Sequence, residues 1–137
     1  MSKLAARLGD ASRSGVYRAS RADAVEEAVP STRLSLARVA LHGAKTKEAL
    51  LEAIAASLAF PHWFGANWDA LEDCLSDLSW LPASGYVLVI EHAQPGDDLG
   101  VLIDVLRSAA EWWSERGKPF VAVFVDPARR LQLPQLP

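Results

Sequence analysis

Two short runs of nearly uninterrupted apolar residues, YVLVIEH at 86–92 and FVAVFV at 120–125, constrain this chain more than any other feature. Consecutive branched and aromatic side chains suit a strand covered on both faces, as in a parallel sheet. Between them Leu99 to about Arg116 has helical periodicity, with Asp97 or Asp98 as candidate caps and Gly117 as the terminator. Strand, helix, strand in that order makes a right-handed crossover between parallel neighbours.

The preceding region repeats the pattern. Residues 33–41, RLSLARVAL, alternate apolar and polar as a strand does. Gly43 follows, and Thr46 can cap a helix whose Leu50, Leu51, Ile54 and Leu58 recur at three- and four-residue spacing. Pro61 ends that helix, and another is predicted from near Asn67 to about Leu78, before Pro82 and Gly85. GVYR, residues 15–18, is a candidate edge strand; Ser20 or Asp23 can cap a short helix to Val29, stopped by Pro30. The fold class expected is α/β: a small, mainly parallel three- to four-stranded sheet with helices packed on its faces. Residues 1–30 read as a partly disordered N-terminal extension with a short strand and helix, 31–127 as the main domain, and 128–137 as a C-terminal tail.

A single domain of 137 residues can bury its core without a staple. Cys74 is the only cysteine, so no internal disulfide is possible, which suits a reducing compartment. The first residues lack the apolar core of a signal peptide, and no run is long enough to span a membrane, so a cytoplasmic protein is expected.

The net charge of −3 hides a segregation. From Glu48 to Asp104 there is no lysine or arginine, while Glu48, Glu52, Asp69, Glu72, Asp73, Asp77, Glu91, Asp97, Asp98 and Asp104 all fall there. Such a field repels phosphates and attracts a basic partner. In the helix from Asn67, Asp69, Glu72, Asp73 and Asp77 share one face, and Leu71, Cys74, Leu75 and Leu78 the other. Like charges at that spacing cost a few tenths of a kcal/mol per pair. The face is therefore either a plain solvated surface or one kept for a partner. Beside it lie Trp63, Phe64 and Trp68, as core or as anchors of an interface, around Gly65, which is expected to take a positive φ or admit a close backbone.

An enzyme is not expected. Glu72 and Asp73 have no nucleophile, cation or oxyanion donor in sequence reach, and His42, His62 and His92 stand at no metal-ligand spacing. Cys74 reads as a small buried hydrophobe. HGAKTKEA lacks the order of a phosphate loop and reads as a helix cap. No catalytic residue, metal or cofactor is expected.

Taken as a unit, PHWFGANWDALEDCL resembles the barstar family of ribonuclease inhibitors. A proline, two aromatics and a glycine come first, then Asn67, Asp69–Ala70–Leu71 and Asp73–Cys74–Leu75. Looser similarity covers about residues 33–126. The resemblance implies a small parallel sheet with packed helices, and tight binding to a basic nuclease active site by carboxylates standing where RNA phosphates would lie. It makes Asp73 the principal phosphate mimic and Asp69 its partner one turn earlier. Trp63 and Phe64 become the aromatic loop residues, with Gly65 and Asn67 shaping that loop; Glu72 and Asp77 extend the acidic face. The partner expected is a small basic ribonuclease bound by a monomer, with no direct nucleic-acid or membrane contact. A binding module retargeted to a non-nuclease protein is the alternative. Two positions depart from the pattern: Glu72 stands where members carry a tryptophan, and Trp112 where they carry a carboxylate, with Glu111 about 100° round the helix.

Overall fold

The computed structural model describes residues 2–137. Its centre is a four-stranded, all-parallel sheet of β1 (Gly15–Ala19), β2 (Ser35–Ala40), β3 (Tyr86–Glu91) and β4 (Phe120–Val125), in the order β1-β4-β3-β2. Tyr86 pairs with Phe120 and Ser35 with Tyr86, so the strands that read as most apolar occupy the middle. The expected α/β architecture is present, and GVYR supplies a full edge strand with Val16 opposite Ala122.

The two apolar strands divide their residues between two cores. Tyr86, Leu88, Ile90, Phe120, Ala122 and Phe124 face one helical layer: α3 (Lys47–Ser57), α4 (Trp68–Leu75) and α5 (Asp97–Glu115). Val87, Val89, Val121 and Val123 face the other, α1 (Lys3–Leu8) and α2 (Asp23–Ala28). Cover on both sides is why neither strand alternates with polar residues. Gly85 opens β3 because a Cβ there would lie 2.4 Å from Pro119 Cγ and 2.8 Å from Leu34 Cδ2.

Several expectations need correction. The opening residues, expected to be partly disordered, contain α1, whose Ala5 and Leu8 are buried and whose first turn is capped by Ser2 Oγ, accepting from Ala5 N–H at 3.0 Å. Six residues give too little periodicity to read, and tertiary packing holds the helix. The tail at 128–137 also packs: Arg18 N–H donates to Pro134 O and Leu136 N–H to Arg18 O, both at 2.8 Å, along the outer edge of β1. Leu133 of this tail is buried in the main core. The acidic helix α4 stops at Leu75 rather than Leu78, because Ser76 caps it and Leu78 turns left-handed at φ 52°. Asp97 and Asp98 lie in the first turn of α5 rather than capping it; Gly96 is the cap residue. Ala22, not Ser20 or Asp23, precedes α2.

Candidate protein-binding site

Asn67 organises the site. Its Oδ1 accepts from Ala70 N–H at 2.7 Å, capping α4, and its Nδ2 donates to Gly65 O at 3.4 Å, drawing the preceding loop onto the helix. Phe64 N–H donates to Pro61 O at 3.0 Å, which closes the loop from its other end. The positive φ expected at Gly65 falls on Ala66 instead, at 51°, and a Cβ on Gly65 would meet only ordinary contacts. The left-handed turn lies one residue on, so a positive φ is not what fixes a glycine at position 65.

Helix α4 is amphipathic as its pattern requires. Leu71, Cys74 and Leu75 are fully buried, while Asp69, Glu72 and Asp73 are exposed. Asp77 is also exposed but lies past the helix end, its N–H donating to Cys74 O at 3.1 Å. Its position therefore follows the turn rather than the helical face. None of the four carboxylates enters an ion pair among the described residues. Asp69 and Asp73 share a hollow with Asn67, Trp68, Ala70 and Lys47. Lys47, the first residue of α3, brings a cation to the acidic surface that sequence reading missed; its only signal was its place immediately before the lysine-free stretch.

Burial pushes the Cys74 thiol up, and the charges of Asp77 and Asp73 add to it, so the sulfur is a packed, protonated group. The Tyr86 hydroxyl is likewise held up by burial and by Asp77, and donates to Leu81 O at 2.8 Å.

The aromatic cluster divides. Trp63 is 58% exposed, the most exposed large hydrophobic residue among those described. Its ring meets Trp80 edge to face at 6.2 Å, and Trp80 is itself pinned by donating Nε1–H to Leu58 O at 2.9 Å. Phe60 packs against both Trp80 and Phe64. Phe64 and Trp68 are half-buried against the core, so they support the loop more than they display a surface. Phe60 and Trp80 escaped the sequence reading because their roles come from contacts between distant segments.

At the other end of α4, Trp113 Nε1–H donates to Leu75 O at 2.7 Å and fixes α5 to the acidic helix. Trp112 stacks edge to face on Trp113, and the Arg116 guanidinium lies 3.6 Å over the Trp112 ring. Glu111 lines a different hollow, with Gly15 and Tyr17 of β1. The neighbour of Trp112 in sequence is thus directed to the opposite edge of α5 and cannot stand in for a carboxylate beside α4. Among the described residues no three His, Cys, Asp or Glu side chains are placed to hold a metal ion. No helix among them is long and apolar enough to cross a membrane.

A family model described as Barstar (barnase inhibitor) matches residues 34–125, from the start of β2 to the end of β4. The chain belongs to the barstar family. A search of curated proteins gives no match to it. The barstar match takes in the whole site, including Trp63, Asn67, the α4 carboxylates and Trp112, and leaves out α1, β1, α2 and the tail.

Proposed function

We propose that this barstar-family chain is an intracellular inhibitor of a small basic ribonuclease, of the antitoxin or immunity type. The α4 face enters the nuclease active site: Asp73 occupies the place of an RNA phosphate, and Asp69 the place of its neighbour. Glu72 and Asp77 widen the negative field, and Trp63 supplies the apolar anchor. The observation that carries this reading is a set of exposed carboxylates with no ion pair among the described residues, held by a capped helix with one buried face beside a braced, exposed tryptophan. An active site that grips RNA must cluster arginine, lysine and histidine, and a preorganised carboxylate array exploits that cluster at little ordering cost. The reading places the protein in the cytoplasm as a monomer and gives it no catalytic residue.

Titration of the protein into RNA-cleavage assays with a panel of small basic ribonucleases tests this. Stoichiometric inhibition, lost in Asp73→Ala, is the expected result; inhibition that survives Asp69→Ala and Asp73→Ala together would remove α4 from the mechanism.

A retargeted binding module is the second reading. It is favoured by Glu72 and by the Arg116–Trp112 stack, which puts a cation and an aromatic near the end of α4. Partner choice turns on such rim positions. Pull-down from the native cell that recovers a single non-nuclease protein would select this reading.

A further inference from the structure

Three segments leave the carboxyl ends of β2, β3 and β4 and meet in a hollow that shares no residue with the α4 surface. It is lined by His42, Gly43, His92, Ala93, Gln94 and Arg130. Leu41 N–H donates to Glu91 O at 2.9 Å and Gly43 N–H to His92 O at 2.8 Å, so the two histidine loops stay locked together beyond their strands. Both histidines turn left-handed, at φ 50° and 60°, and Arg129 does the same at 55° just before Arg130. A non-glycine residue in that region carries a steric cost, and stability alone would favour glycine or asparagine.

The turns bring the imidazoles side by side, nearly parallel at 10° with centroids 6.5 Å apart. Arg130 joins them from the third segment. Its backbone is fixed by buried Asp126, which accepts from Arg130 N–H at 3.0 Å and Leu131 N–H at 2.8 Å. Its Nη2 donates to Gln94 Oε1 at 3.1 Å, which holds the guanidinium at the rim of the hollow.

We infer that this hollow binds a tetrahedral oxyanion, a phosphate or sulfate group, at the N–H edges of the two imidazoles and the Arg130 guanidinium. Imidazole N–H and guanidinium N–H are donors suited to an oxyanion. Among the described residues Glu91 is the only carboxylate within ion-pair distance of these side chains, its Oε2 3.8 Å from His92 Nε2. A cation would have to sit beside the guanidinium, so the lining disfavours a metal. The location agrees with the habit of open α/β sheets of holding ligands outside the carboxyl ends of their strands.

His62, in the aromatic loop, is an internal reference for the test. The imidazole resonances of all three histidines are followed by NMR as sulfate is added at constant ionic strength and constant pH. The expected result is saturable movement of His42 and His92 with His62 still. Binding becomes at least about tenfold weaker in Arg130→Gln, because a charge-assisted bond is lost. Arg130 is exposed, so that variant keeps its fold, which its melting temperature checks. Joint, unsaturable drift of all three imidazoles would overturn the site, as would binding unchanged in Arg130→Gln. Zinc that moves the same two imidazoles with equal strength in wild type and Arg130→Gln, with sulfate inert, would also overturn it. A mononucleotide that binds more tightly than sulfate assigns the oxyanion to a phosphate monoester; equal binding assigns a free anion, and both keep the site.

Discussion

Asp73→Ala separates stability from function with opposite signs. Asp73 lies in the last turn of α4, where a negative charge meets the negative end of the helix dipole, at about 0.3–1 kcal/mol. It stands four residues from Asp69, a like-charge pair costing about 0.2–0.5 kcal/mol, and among the described residues it has no ion pair to lose. Alanine is also the better helix former, by up to about 0.7 kcal/mol. Together these predict that Asp73→Ala stabilises the free protein by about 1 kcal/mol, a rise of roughly 4 °C in melting temperature for a chain this size. In a complex the same change leaves a partner cation buried and unpaired, costing about 2–5 kcal/mol, or roughly 30- to several-thousand-fold in affinity. Urea and thermal denaturation of wild type and variant measure the first quantity, and a binding titration the second. Loss of 1 kcal/mol or more of stability would refute the reasoning, since Asp73 would then be holding the fold together. Asp69→Ala is the control: in the first turn its charge favours the helix, so its removal yields no such gain.

Other changes probe the frame of the site. Asn67→Ala removes the α4 cap and the tie to Gly65, and should cost about 1 kcal/mol in denaturant unfolding, with Asn67→Ser recovering most of it. Trp113→Phe leaves the Leu75 carbonyl without its indole donor; a loss of about 1–3 kcal/mol is expected, and an unchanged midpoint would show that water replaces the bond. Cys74 should react with a disulfide reagent only through unfolding, so its modification rate should track denaturant concentration. Because its folded pKa is raised, its contribution to stability is full below the ordinary thiol value of 9.0 and is lost as pH rises through the folded value. Denaturation midpoints should therefore fall above about pH 9, less so in Cys74→Ala.

How much of this was legible follows from where each signal lies. The central strands could be read because every residue of YVLVI and FVAVFV meets a covered face. The face of α4 could be read because Leu71, Cys74 and Leu75 recur at helical spacing while the carboxylates fall between them. That same spacing misplaced the helix end. Leu78 continues the apolar period and is buried, yet it reaches the core through a left-handed turn, so periodicity outlasted the helix. Gly65 drew the positive φ in sequence reading because glycine is the default for it, whereas the loop places it on Ala66. The bracing of Trp63 by Trp80, the approach of Lys47 to Asp69 and Asp73, and the tail along β1 are long-range facts without local pattern.

The central claim is that α4 occupies the nuclease's RNA site, and competition tests it most directly. With any ribonuclease that the protein inhibits, its apparent dissociation constant is measured against rising concentrations of a mononucleotide that fills the active site. The account predicts that the constant rises in proportion to nucleotide occupancy, and that Asp73→Ala weakens binding while flattening this dependence. An affinity indifferent to the nucleotide would contradict it, because the protein would then be binding the nuclease somewhere other than the place of the RNA phosphates.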